Sequence, residues 1–257
     1  MALLKIQCGK ELCCQLITGI GGALNLEKNK EIVLERIEKA CRSANRDPSE
    51  IKIVWVSKTQ DLKSVRKAIE LGATQFGENR VQEALEKFLP PIDGIECRII
   101  GPVQKNKLRK AVSVAQAIDS IADLESVFKL EALCEEANKN LEILFQVNAS
   151  EEVSKSGLAM QAAFDFLSRL PKPSRLAYKG LMTIGKNTGN PEDSRACFAF
   201  LRNLRSQVLE LKPWFANFTE LSMGMTDDLE IAIAEGSTMV RIGTALFGKR
   251  DFLNSPI

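Results

Sequence analysis

Histidine is absent from this 257-residue sequence, and tyrosine occurs once, at Tyr178. Without histidine there is no Ser-His or Cys-His nucleophile pair and no histidine-bearing zinc site. Proton transfer would fall to lysine, tyrosine, cysteine or a carboxylate. Charge of one sign is lacking too: 35 Lys and Arg stand against 33 Asp and Glu, a net charge of +2. That balance leaves no electrostatic footprint for nucleic acid or an acidic membrane surface. No C-x-x-C pair occurs. The seven cysteines, at 8, 13, 14, 41, 97, 134 and 197, are scattered and odd in number, the usage of free thiols in a reducing compartment.

A membrane-length apolar run is missing as well. The uncharged stretch from Leu12 to Leu26 is too short to span a bilayer. It lacks a convincing small-x-small cleavage site, and the residues around it lack the arginines of a transit peptide. Residues 1–26 therefore read as an extension of unknown role, with an organelle address left open, and residues 27–257 as one domain.

What is present is a globular composition, 45% hydrophobic and 26% charged, enough to bury a core and to exclude disorder. From Glu27 the chain alternates. Val33, Ile37, Ala40, Cys41 and Ala44 follow helical spacing up to Asp47-Pro48. Ile51 to Ser57 is a nearly continuous apolar run, the pattern of a parallel strand covered on both faces. Further strand-like runs end near Glu78, Gly101, Asp119, Asn148, Thr183, Ser222 and Gly243, each but the last followed by a helical stretch. The clearest helices place Leu130, Leu133, Cys134 and Ala137 on one face, and Cys197, Leu201, Leu204, Val208 and Leu211 on another. Eight such βα units after a leading helix suggest an α/β fold, a single (β/α)8 TIM barrel. An open doubly wound sheet is the alternative that periodicity leaves standing.

In a barrel the site lies at the C-terminal ends of the strands. Lys58 stands at the first such end, where a desolvated amine suits a Schiff base, or where a lysine simply caps the strand and points to solvent. Ser222, Gly224 and Thr226 after the seventh strand, with Gly243 and Thr244 after the eighth, could cradle a phosphate or could be ordinary helix caps. Alternation turns Met239 and Arg241 to the barrel interior. There Arg241 would meet a carboxylate such as Glu220 or Asp227, or a ligand's ring nitrogen. Closure would make Lys58 and Arg241 neighbours. Two patterns are set aside. Gly180-x4-Gly185-Lys186 resembles a P-loop, but Asn187 replaces the Ser or Thr and a strand runs through it. Lys105, Lys107, Arg109 and Lys110 read as a solvated helix face.

Val56-Ser57-Lys58-Thr59, Phe76-Gly77-Glu78-Asn79, Ile100 to Lys107, Ser154-Lys155-Ser156-Gly157, Gly180-Leu181-Met182-Thr183-Ile184, Ser222 to Asp228 and Gly236 to Gly248 occur in this order. Together they resemble the signatures of the pyridoxal phosphate (PLP) homeostasis protein family, from about residue 30 to residue 252. The resemblance implies a fold-type III PLP barrel, similar to the N-terminal domain of alanine racemase without that enzyme's second domain. By the same resemblance Lys58 carries PLP as a Schiff base and Arg241 faces the pyridine nitrogen. Ser222, Met223, Gly243 and Thr244 bind the phosphate, and Asn79 and Met182 belong to the pocket; no metal is involved. It further implies a cytoplasmic monomer that takes part in vitamin B6 balance, with delivery of PLP to apoenzymes as a candidate role, without binding nucleic acid or membrane. No catalysis is implied. An arginine at the ring nitrogen weakens the cofactor as an electron sink, and the tyrosine that serves alanine racemase as second base comes from the missing domain. The alternatives are a weak PLP-dependent amino-acid racemase and, further off, a Schiff-base aldolase.

Overall fold

The computed structural model describes residues 21–248 of the chain. Of the extension expected over residues 1–26, residues 1–20, with Cys8, Cys13 and Cys14, lie outside the described residues, and residues 21–26 belong to the first described helix.

The first element is helix α1 (Gly21–Ser43), whose Val33, Ile37, Ala40 and Cys41 form the buried stripe that its spacing predicts. Eight parallel strands follow: β1 (Lys52–Val56), β2 (Gln75–Glu78), β3 (Glu96–Ile99), β4 (Ala117–Ile121), β5 (Leu141–Asn148), β6 (Leu176–Met182), β7 (Glu220–Ser222) and β8 (Met239–Ile242). Between them run α2 (Leu62–Glu70), α3 (Val81–Phe88), α4 (Leu108–Val114), α5 (Leu124–Glu136), α6 (Met160–Ser168), α7 (Arg195–Leu209) and α8 (Leu229–Ala234). A two-residue strand, Leu158–Ala159, pairs with the end of β5.

Local signals explain the boundaries. The side chains of Asp61 and Asp123 accept the Ser64 and Ser126 N–H groups at 2.8 Å and so begin α2 and α5. Ala137, expected on the buried face of α5, is instead its exposed C-cap, because the helix ends one residue earlier. The last strand does carry a helix after all, the single turn α9 (Thr244–Phe247). It is too short for hydrophobic periodicity to reveal.

The sheet is closed. Its order is β4-β3-β2-β1-β8-β7-β6-β5, and β4 pairs with β5 through Ala117↔Glu142 and Ile118↔Ile143. That pairing excludes the open doubly wound alternative. Outward-facing residues such as Trp55, Ile99, Leu181, Val240 and Ile242 join the helices in the main apolar core. Val54, Leu144, Met182 and Met239 form a separate apolar cluster inside the barrel.

Toward the strands' N-terminal ends, that inner cluster rests on charge. Arg98, fully buried, donates from Nε and Nη2 to Asp119 at 2.8–3.2 Å and also pairs with Glu96. Glu142 and Glu220 lie 3.6 and 3.8 Å from its terminal nitrogens, and Lys52 Nζ reaches Glu220 at 2.5 Å. One guanidinium thus organises four carboxylates in the space that a TIM barrel must fill with side chains. Removing the cation alone would leave the fully buried Asp119 without its ion-pair partner. Arg98→Met is expected to cost about 3–5 kcal/mol of stability in a urea titration; a variant within about 1 kcal/mol of wild type would contradict the assignment.

The cysteines are the other buried reactive groups. Cys41, Cys97, Cys134 and Cys197 are free thiols in the core, and burial raises all four pKa values, Cys97 to about 12 and Cys134 to about 11. At pH 8 they stay protonated and enclosed, and so unreactive. A thiol reagent should label no more than the three cysteines at 8, 13 and 14 in the native protein, and all seven after denaturation. Native labelling of a fourth would show that the core opens.

Candidate functional site

The strand pattern delivers its C-terminal ends to one rim, and a cavity of about 410 Å³ opens there. Val56, Lys58, Asn79, Met182, Arg241, Gly243 and Thr244 line it, so six of the eight expected residues meet on one wall system. Lys58, two residues past the end of β1, is half-buried. Asn79 follows β2, and its backbone leaves no room opposite: a Cβ on Gly101 would come within 2.4 Å of the Asn79 carbonyl oxygen. Gly101 is therefore required by close approach of two loops.

Arg241 is buried, and its partners are not the expected carboxylates. Nη1 donates to the Ser222 carbonyl at 2.7 Å and Oγ at 3.0 Å, and Nη2 donates to the Thr183 carbonyl at 2.8 Å. Glu220 is instead taken by Lys52 and Arg98. Burial lowers the Arg241 pKa, opposed by the fields of Asp119 and Asp228. Of its five N–H donors, two have no partner among the described residues. Carbonyl dipoles hold the side chain in place without neutralising it.

Ser222 and Met223 do not reach the cavity wall. Ser222 is fully buried as the acceptor for Arg241, and Met223 packs in the outer core with its N–H bonded to the Met239 carbonyl at 3.1 Å. The chain then turns at Gly224, whose φ of +94° and close packing on Ala232 favour glycine. Met225, Thr226 and Asp227 line the cavity in their place. Thr226 Oγ1 accepts the Ala245 N–H at 3.3 Å, which ties the loop after β7 to the one after β8. Asp228 lies behind, its pKa raised by burial and its Oδ1 accepting the Met225 N–H at 2.7 Å.

The loop after β5 closes the opposite side. Gln146 Nε2 donates to the Ser156 carbonyl at 2.6 Å, and Asn148 Nδ2 donates to the carbonyls of Glu152 and Lys155 at 2.9 and 3.1 Å. Ser154, Lys155 and Ser156 thereby face the cavity. Lys155 Nζ is held by Glu152 at 2.7 Å and by the Gly185 carbonyl at 2.6 Å. Gln60 and Gln146 are wall residues that sequence reasoning missed; a polar residue interrupting the apolar run of β5 was the available signal for Gln146.

Tyr178 is elsewhere. It packs among Phe145 and Phe215 in the outer core, with its pKa pushed up by burial. Of the P-loop-like glycines Gly180 lies within β6 and Gly185 just past its end, and the basic side chains of Lys105, Lys107, Arg109 and Lys110 are exposed, with Lys105 paired to Glu125 and Arg109 to Glu136. Among the described residues no cluster of three or more His, Cys, Asp or Glu could hold a metal, and no helix is long and apolar enough to cross a membrane.

An amine, a donor-only cation, two small-residue loops and apolar walls thus converge on one cavity. That set suits an aldehyde that carries a phosphate and a flat ring with an acceptor nitrogen.

Comparison with known proteins gives the same direction. Residues 32–251 match the family described as alanine racemase, N-terminal domain. The pyridoxal phosphate homeostasis protein of Haemophilus influenzae is 36% identical over 238 residues, covering 90% of this chain and 99% of its own. That of Pseudomonas aeruginosa is 39% identical, covering 88% and 96%. Among solved structures, an unknown protein from Bifidobacterium adolescentis superposes with a TM-score of 0.80 at 32% identity, covering 88% of this chain and 95% of that one. PipY of Synechococcus elongatus with PLP bound superposes with a TM-score of 0.72 at 29% identity, covering 83% and 100%. An alanine racemase of Clostridium difficile, at 13% identity and a TM-score of 0.69 over 91% of this chain and 59% of that one, shares the fold.

Proposed function

The chain belongs to the pyridoxal phosphate homeostasis protein family, and from that premise we propose that it binds PLP in the cavity at the barrel rim and serves intracellular PLP balance. The observation that carries the reading is the convergence of Lys58, Arg241 and the Gly243-Thr244 loop on one cavity. When bound, PLP supplies an aldehyde that condenses with a primary amine, and this is the chemistry by which it is retained.

The chain's own residues divide the work. Lys58 offers the amine. Thr226, Gly243 and Thr244 offer hydroxyls and backbone to the phosphate where the loops after β7 and β8 meet. Ser222 contributes at one remove, by fixing Arg241. Arg241 can only donate, so a ring nitrogen that it faces acts as acceptor and carries no proton of its own. Val56, Met182 and Ile184 provide apolar surface for a flat ring. Asn79 belongs to the wall beside Gly101.

Holding and releasing the cofactor, including handing it to apoenzymes, fits this wall better than amino-acid racemisation does. An unprotonated ring nitrogen makes a poor electron sink. The single tyrosine faces the outer core, and the four described cysteines lie away from the cavity. The sequence relatives from Haemophilus influenzae and Pseudomonas aeruginosa are named for homeostasis. Free core thiols fit a cytoplasmic location, and action as a monomer belongs to the same reading.

Purified protein mixed with PLP should develop a visible absorption band that borohydride bleaches, leaving a pyridoxyl-phosphate adduct on Lys58. Lys58→Ala should lose the band and weaken binding by at least about tenfold, or 1.4 kcal/mol. The loaded protein should exchange the α-hydrogen of alanine with solvent deuterium no faster than free PLP does. A folded protein with no band, or an adduct on another lysine, would overturn the assignment; fast exchange that depends on Lys58 would bring back the racemase reading.

A further inference from the structure

Lys58 stands between two residues that are both tied to α3. Ser57 is fully buried; its Oγ donates to Glu78 Oε1 at 2.7 Å, and its carbonyl accepts from Lys87 Nζ at 2.7 Å. Lys87 also donates to Glu78 Oε1 at 2.9 Å and to Glu83 Oε2 at 3.3 Å. That same Glu83 oxygen accepts the Thr59 N–H at 2.8 Å. One ammonium therefore links both chain neighbours of Lys58, and Glu83 and Lys87 occupy successive turns of α3.

Two features set this cluster apart from ordinary surface pairing. Its charges are desolvated, with the Lys87 and Glu78 side chains 7% and 0% exposed. Burying an ion pair is a poor route to stability compared with apolar packing. Thr59 has φ +65°, a left-handed conformation that β-branched residues avoid. Strain of this kind persists where surrounding contacts over-determine the backbone, and here the Glu83 carboxylate adds to the turn's own Gln60 N–H to Ser57 carbonyl bond at 2.9 Å.

We propose that Lys87 is a positioning residue for the cofactor lysine: through Glu83, Glu78 and the Ser57 carbonyl it fixes residues 57–59, so that the Lys58 side chain is presented to the cavity it shares with Arg241 and Thr244. The role of Lys58 toward PLP rests on the function proposed above; the clamp itself concerns only this chain. Lys87 does not line the cavity and acts through the backbone that it holds.

The test uses the intact protein without PLP. Acylation of Lys58 by acetic anhydride is measured by mass spectrometry against exposed Lys63 and Lys129. In Lys87→Met the relative rate at Lys58 should change by about fivefold or more, with Lys63 and Lys129 unaffected, and Lys87→Arg should restore it to near the wild-type value. Glu83→Ala, which releases the Thr59 N–H from a part-exposed site, should shift it in the same direction and decides the matter should Lys87→Met fail to fold. With PLP added, Lys87→Met should bind about tenfold more weakly, or 1.4 kcal/mol. Wild-type failure to bind PLP would sink the proposed function and leave the labelling result standing. Unchanged Lys58 labelling in folded Lys87→Met and Glu83→Ala would overturn the clamp, even if both melt at lower temperature.

Discussion

The hydrogen-bonded seam between β1 and β8 sets Lys52 to Trp55 against Met239 to Ile242, and the site depends on that register. Val54 lies beside Arg241, so Lys58 and Gly243-Thr244, just beyond the two strand ends, emerge at one rim. The approach is close: a Cβ on Gly243 would stand 3.3 Å from the Val56 carbonyl oxygen. In an open sheet β1 and β8 need not meet, and the amine and the arginine would have no common cavity. A slip of one residue would turn Arg241 outward into the apolar core.

Inside the barrel, polarity is graded along the axis. Arg98 and its carboxylates fill the N-terminal end, Val54, Leu144, Met182 and Met239 form an apolar layer, and the cavity opens above. Arg241 stands at the upper boundary of that layer, and it is bound by carbonyls and a hydroxyl rather than by an ion pair. A carboxylate partner would satisfy its charge more fully and leave less of it for a ligand. The field of Asp119, a member of the lower cluster, still favours its charged form. The charge cluster and Arg241 are thus electrostatically linked through one barrel interior.

Much of this was legible in sequence because fully covered parallel strands read as short apolar runs, and the ends near Glu78, Asn148, Thr183 and Ser222 fall within a residue of the strand termini. The inward direction of Arg241 followed from alternation with Val240 and Ile242. Closure did not follow from periodicity; it lies in the β4–β5 pairing, a contact between segments that no local pattern links. Residue roles toward PLP came from the family resemblance, and of the residues it names, Ser222 and Met223 lie buried behind the cavity wall. The left-handed turn at Gly224 moves the wall on to Met225, Thr226 and Asp227, a shift that the spelling of a motif does not show. Lys87 and Glu83 were invisible for a different reason. On a helix they read as an ordinary i, i+4 pair on a polar face, and only the fold brings the segment 57–59 against them.

The central claim is that closure assembles one PLP site from the ends of β1, β7 and β8. A crystal structure of the protein grown with PLP tests it most directly. The account predicts density continuous with Lys58 Nζ, a phosphate against Thr226 and the Gly243-Thr244 backbone, and the ring nitrogen beside Arg241. Density joined to Lys155, or a phosphate bound away from the loops after β7 and β8, would contradict it.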